Sequence, residues 1–417
     1  MHYFSIELQR IVDNIMKQTI TFLTSIILLV SCSEREIQQI DFSTNYKFTS
    51  EIEEQIRNDT IPWKYQISAA DFAKKGDYQK ALIHYDLGMP TQNRNYTKAE
   101  IDSINSKYSV VNAADYIIQE AQKNQVVMIN EAHHNSMHRA FTKSLLQRLF
   151  DNGYKNLGLE ALDRGEHLDS ALNNRGYPIQ KTGYYTQDPQ FGDLIREAIK
   201  IGYNVFAYEN IGFETGKVRE IGQAKNIQKV IESKPNEKFL IHCGFAHLME
   251  GNYSGWEKAM AGRLTEYTGI NPLTINQVEY SEKSKAEFNH PLLKALEIKE
   301  SSILIDEDNN PLKYERDEAW ADIAVLHPKT EYVDNRPNWL FENGNQNVSV
   351  ELKDIPIKFP VLVLAYKKGE DINAAVPLDI SEVDDKKENA HLALDEGTYE
   401  IVVTNKVKSF KFKKTVN

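Results

Sequence analysis

Glu131, His133, His134 and His138 fall within eight residues of one another, so one short segment concentrates an acid and three imidazoles. An imidazole can take a proton from water near neutral pH or bind a metal, and a carboxylate beside it fixes its tautomer and raises its basicity. Such a cluster points to a site rather than to a core. The same residue types recur further along. Glu160 follows Leu157-Gly158-Leu159, and Glu209 follows Val205-Phe206-Ala207-Tyr208. His247 comes three residues after Gly244, a residue that lets a backbone turn sharply and approach a ligand closely. His327 ends the apolar run Ile323-Ala324-Val325-Leu326, where it would enter the same place or cap a domain boundary. His134 and His138 are four apart and would share a helix face if the helix began early enough. Cys243, beside His242, reads either as half of a Cys-His pair or as a small buried apolar residue. No Gly-x-Ser-x-Gly elbow and no His-Glu-x-x-His helix offers another nucleophile or a zinc site.

These residues need elements that bring them together. Each follows a short apolar run, as Val126-Val127-Met128-Ile129 precedes Asn130-Glu131. Strands are expected at 126–130, 156–161, 204–209, 238–244, 273–280 and 321–328. Helical patterns lie between them, such as 137–152 and 191–201, the second ending at Gly202. This alternation predicts an α/β fold, a mostly parallel sheet with helices on both faces, whose strand carboxyl ends form one ligand-binding rim. Ahead of it, residues 32–95 are polar and helix-prone, and Ala69 to Leu82 resembles the helix junction of a tetratricopeptide repeat. One copy cannot build a solenoid, so a helical pair packed on the α/β domain of residues 96–340 is expected. From 341 to 417 the period changes to two, predicting a small β-sandwich that serves as a structural appendage or binds a glycan or partner.

At 417 residues and a formal charge of −11, with no basic run, the chain has the size for two or three domains and lacks the footprint of a nucleic-acid binder. Lys17, the apolar stretch Ile20 to Val30, and Leu29-Val30-Ser31-Cys32 read as a bacterial lipoprotein signal, with translation starting at Met1 or Met16. Cys32 would be the lipidated residue. Ser33 after it carries no inner-membrane retention signal, so a tether to the outer membrane is expected. Cys243 is then the only cysteine of the mature body.

The run Asn130-Glu131-Ala132-His133, then His138, Leu157-Gly158-Leu159-Glu160, Arg219-Glu220 with Ala224 and Asn226, and Gly244-Phe245-Ala246-His247 resembles the superfamily uniting erythromycin esterases, ChaN-type haem-binding lipoproteins and Tiki-type proteases. The order and spacing agree over about 200 residues, with Asn130 where the family has Gly. ChaN-like spacing makes His133 the motif residue, whereas the erythromycin-esterase pattern makes it His134. The resemblance implies a hydrolytic site for an ester or amide of a small molecule or peptide. In it His133 acts as general base or metal ligand, Glu131 and Glu160 orient it or share the metal, His247 is a second base or ligand, and Arg219 neutralises an oxyanion. A divalent metal on Glu131, His133, Glu160 and His247 and metal-free hydrolysis both stay open. The alternative class is a haem or iron carrier, which needs an axial ligand and a large apolar pocket; the 21 tyrosines supply candidates. Paired acids favour hydrolysis.

Overall fold

A computed structural model describes residues 35–212, 215–342 and 344–417. The expected signal segment and Cys32 lie outside the described residues, and among those described no helix is long and apolar enough to cross a membrane.

The central sheet is built from β1 (Ser109–Asn112), β2 (Val126–Glu131), β3 (Tyr154–Leu159), β4 (Asn204–Ala207), β5 (Lys238–Gly244), β6 (Leu273–Asn276), β7 (Ser302–Ile305) and β8 (Ile323–Leu326). Their order across the sheet is β1-β7-β8-β6-β2-β5-β3-β4. From β8 to β4 all neighbours are parallel, and β7 and β1 close one edge antiparallel. The fold class is therefore the expected one, with two further antiparallel strands at one side that the residue pattern did not reveal. Strands β3, β4, β6 and β8 stop two to four residues earlier than expected, because the polar rim residues beyond them turn to side-chain partners instead of continuing the ladder.

Helices cover both faces. Val127 and Ile129 of β2 join one core with Leu145, Leu146 and Leu149 of α6 (Met137–Asp151) and Phe191, Leu194 and Ile195 of α7 (Pro189–Ile201). The alternate residues Val126 and Met128 join the other, with Ala224, Ile227 and Ile231 of α8 (Lys217–Ser233) and Met260 and Leu264 of α9 (Met260–Thr268). Adjacent residues of a strand point to opposite faces, so a strand covered on both sides reads as an unbroken apolar run. Helix α7 shows why the sequence folds locally. Asp188 accepts the Gln190 and Phe191 amides as N-cap at 2.7 and 3.2 Å, Pro189 starts the helix, and Gly202 ends it at φ +114°. Phe191, Leu194, Ile195 and Ala198 form its buried stripe, each large side chain contributing about 2 kcal/mol of burial.

The amino-terminal segment contains α1 (Thr49–Asn58), α2 (Lys64–Lys74) and α3 (Tyr78–Gly88), with Gly76 at φ +82° making the expected junction and Asp77 capping α3. The carboxyl-terminal segment holds two antiparallel sheets. One runs β14 (Ser409–Val416), β13 (Gly397–Thr404), β10 (Val361–Lys367), β11 (Asp379–Val383), and the other pairs β9 (Gln346–Val350) with β12 (Ala390–Leu394). Phe42, Tyr46 and Phe48 pack on Leu362, Leu364 and Tyr366, so segments far apart in sequence share one core. Arg196 of α7 reaches Glu370 in a bidentate pair, and residues from Gln39 onward form one compact unit.

Candidate active site

Strand order places β2, β5, β3 and β4 side by side, and register sets Glu131 level with Gly244 and Leu159 level with His242. The chain continues at the ends of these strands into Glu160, Glu209 and His247. Six of the candidate residues, Glu131, His133, Glu160, Glu209, Arg219 and His247, come together there.

Glu131 is 1% exposed and accepts four N–H groups. Arg139 of α6 donates Nε and Nη2 at 2.6 Å each, His133 donates Nδ1 at 2.9 Å and His242 donates Nε2 at 3.0 Å. Burial opposes its charge, but Arg139 and these hydrogen bonds outweigh it and hold the carboxyl well below the usual range. Arg139 also meets Asp188 at 3.0 Å, so the α7 cap and the site carboxylate share one buried cation. An ionised Glu131 can only accept, which makes Nδ1 of His133 the protonated nitrogen and leaves Nε2 as a base. The ring of His133 is stacked on Tyr185 at 3.8 Å and meets the edge of Phe245 at 5.1 Å. At 19% its side chain is the most exposed of the imidazoles at the site, and Nε2 has no hydrogen-bond partner among the described residues.

Gly244 is what allows this placement. A Cβ there would lie 2.5 Å from His133 Cε1 and 2.7 Å from Nε2, inside any real contact distance. After Gly244 the chain enters Phe245 at φ +42°, and Asn130 fastens this turn by donating Nδ2 to the Phe245 carbonyl at 2.7 Å while accepting the Gln277 amide.

Opposite His133 stands a second charged group. Arg219 of α8 donates Nη2 to Glu160 and to Glu209 at 2.5 Å each, and Nη1 faces His247 Nε2 at 3.0 Å. Glu160 also accepts the Gly244 amide at 2.6 Å. Burial would raise its pKa, yet His247, Arg219, His133 and that amide hold it at about 2. His247 donates Nδ1 to buried Glu220 at 2.9 Å, stacks on Trp256 at 5.4 Å, and accepts from Arg219. Burial works against charge on His247, and the carboxylates of Glu160 and Glu220 outweigh it and push the pKa up.

The remaining candidates are elsewhere. Helix α6 begins at Met137, so His134 lies in the preceding turn and shares no helix face with His138. His134 is stacked on Tyr85 of α3 at 3.6 Å. His138 is fully buried, accepts the Ala132 amide at 3.0 Å and pairs Nε2 with Ser281 at 2.8 Å. His327 bonds Ser301 and Gln277, and burial lowers it to about 3. His138 and His327 are thus neutral rings that tie loops together. Cys243 is buried with its thiol toward the Ile129 carbonyl, and burial pushes its pKa well up, which removes the thiolate a nucleophile needs.

Arg139 and Tyr185 are site residues that the residue pattern does not single out, His242 enters it only as a neighbour of Cys243, and Glu220 only beside Arg219 in the motif. The four residues named for a divalent metal have their donor atoms engaged by Arg139, Arg219, His242, Glu220 and the Gly244 amide, except His133 Nε2. Among the described residues no group of three or more His, Cys, Asp and Glu side chains is arranged to hold a metal ion. Two guanidinium groups occupy the places where a cation would sit, so the donor set does not fit a metal in this arrangement.

No family model and no curated protein matches the sequence. Among solved structures, the chain is similar to the type III effector HopBA1 at 12% identity, covering 45% of this chain and 95% of that one, with a TM-score of 0.31. The RRSP effector domain of a MARTX toxin from Vibrio vulnificus aligns at 18% identity over 48% of this chain and 44% of that one, TM-score 0.26. The carboxyl-terminal region of Pasteurella multocida toxin, described as holding a thiol-protease-like catalytic triad, aligns at 10% identity over 81% and 52%, TM-score 0.29. The chain spans less than half the length of the Vibrio domain it matches.

Proposed function

We propose that the protein is a hydrolase that cleaves an ester or amide with water activated by His133, without a metal. The observation that carries this reading is the chain Arg139–Glu131–His133. A buried cation keeps Glu131 ionised, Glu131 fixes the Nδ1–H tautomer of His133, and Nε2 of this partly exposed ring is left without a hydrogen-bond partner among the described residues. In the reaction, Nε2 takes a proton from water as the oxygen attacks the carbonyl, and the resulting imidazolium is stabilised through Nδ1–H by Glu131. The same proton then passes to the leaving oxygen or nitrogen. Arg219, a fixed planar cation, faces the developing oxyanion, with His247 and Glu160 holding its guanidinium in place. Cys243 takes no part.

The lipoprotein leader, with Cys32 as its anchor, would place this chemistry at the bacterial outer membrane. The test is a screen of 4-nitrophenyl esters and aryl amides with the purified protein, with and without a chelator, beside His133→Ala. Turnover that survives chelation and falls at least about a hundredfold in the variant is the expected result. Activity lost on chelation would restore the metal reading. A Soret band at stoichiometric haem, with no turnover, would move the protein to the carrier class.

A further inference from the structure

A cavity of about 480 Å³ adjoins the site, walled on that side by Ala132, His134 and Phe245 and on the other by α3 and the loop from Val278 to Pro291. Its volume falls within the range of small-molecule pockets, about 300–1,000 Å³. A larger cavity, about 680 Å³, lies away from the site and contains none of its residues.

The walls of the smaller one carry two features. The first is planar: Tyr85 lies on His134 at 3.6 Å with a 9° interplanar angle, and is nearly parallel to Phe245 at 6.3 Å. His134 is 8% exposed and its Nδ1 has no hydrogen-bond partner. The second is charge. Arg94, Lys283 and Arg316 line the cavity without an ion-pair partner among the described residues, although the chain as a whole carries −11. Lys283 instead lies 5.9 Å from the Tyr85 ring, and Arg316 rests on Tyr253. Two carboxylates on the same walls are committed elsewhere. Asp86 accepts the Ser284 amide at 2.7 Å, and Glu282 accepts the amide and hydroxyl of Thr330. Formal charge on the walls balances, three cations against three carboxylates, but the cations keep donors outside any ion pair while Asp86 and Glu282 have oxygens engaged, so beside a planar wall they fit a ligand that is flat and carries its own acid.

We propose that this cavity binds the part of the substrate remote from the scissile bond, and that this part is a planar ring bearing a carboxylate or phosphate, stacked along Tyr85 and Phe245 and neutralised by Lys283 with Arg94 and Arg316. The proposal rests on the hydrolase reading for its place in a reaction, but the binding itself does not require turnover.

Equilibrium titration tests it with three probes of similar size: 4-hydroxybenzoate, phenyl phosphate and the neutral 4-hydroxybenzamide. The acid probe that the site was built for should bind at least about tenfold more tightly than the amide, and more weakly as salt rises. Lys283→Gln should lose about tenfold for that probe, while Lys411→Gln, on β14, should lose nothing. The preferred acid, carboxylate or phosphate, names the group. Equal affinity for all three probes, no binding of any, or indifference to Lys283→Gln would overturn the proposal. His133→Ala should still bind the acid probe. Acid binding with no turnover of any ester would sink the hydrolase reading alone, and ester turnover without acid binding would sink the cavity alone.

Discussion

Replacing Arg139 with Met should remove the cation that makes the site carboxylate tolerable in burial. Arg139 and Glu131 have side chains only 1% and 2% exposed, and their two parallel hydrogen bonds are 2.6 Å long. With charge centres about 4 Å apart and an effective dielectric of about 20, the attraction is about 4 kcal/mol. Breaking a buried pair by removing one partner costs about 3–5 kcal/mol, because the other charge is left uncompensated. Two carboxylates, Glu131 and Asp188, lose the same cation here, which places Arg139→Met at the upper end, about 5 kcal/mol. Glu131 would then take up a proton or turn away, His133 would lose the acceptor that fixes its tautomer, and turnover should fall by about 10²–10⁴. Adding Glu131→Gln to the same chain removes the orphaned charge, so the double variant should recover about 2 kcal/mol of stability without recovering activity. Urea unfolding followed by tryptophan fluorescence, beside ester hydrolysis on the same preparations, reads both effects. The reasoning fails if Arg139→Met keeps its unfolding midpoint and its turnover, or if the double variant is less stable than the single one.

Gly244→Ala should push His133 off strand β5, since the new Cβ would sit 2.5 Å from its ring, and cost at least about a hundredfold in turnover; unchanged kinetics would show that the ring is not held there. Arg219→Lys keeps a charge but cannot span Glu160, Glu209 and His247 at once, so kcat should drop by about 10²-fold with KM little changed, as steady-state kinetics would report. Glu160 has its pKa lowered from 4.5 to about 2, so its share of stability, about 3 kcal/mol, is present above pH 4.5 and lost as pH falls through 2. The difference in unfolding free energy between the native protein and Glu160→Gln should therefore shrink over that window, and a flat difference would refute the assignment. His327, lowered from 6.5 to about 3, is neutral when folded but takes a proton when unfolded. Stability should thus decline as pH falls from 6.5 toward 3, by up to about 5 kcal/mol, and His327→Asn should flatten that decline in acid unfolding curves.

The sequence by itself determined the parallel sheet, the helices on both of its faces and the rim at its strand ends. Val126–Ile129 and Phe239–Ile241 are apolar without alternation because both faces of their strands are covered, and Phe191, Leu194, Ile195 and Ala198 repeat at the helical period because one stripe is. Such patterns are local, so they survive in one dimension, and with them came the acids and imidazoles that follow each strand. The antiparallel strands β1 and β7 were not legible, since the half-exposed run Ser109–Asn112 carries no pattern of its own and the buried run Ser302–Ile305 is only four residues long. The partners within the site were decided only by tertiary structure. Of the three clustered histidines, His133 meets Glu131, His134 turns to Tyr85 and His138 to Ser281, although all three lie within six positions of one another. Strand order brings Glu160 beside Gly244, 84 positions away, and Arg219 between Glu160 and His247. A buried charge is stable only where an opposite charge reaches it, and which residue does so is fixed by the packing of α6 and α8 on the sheet, not by neighbourhood along the chain.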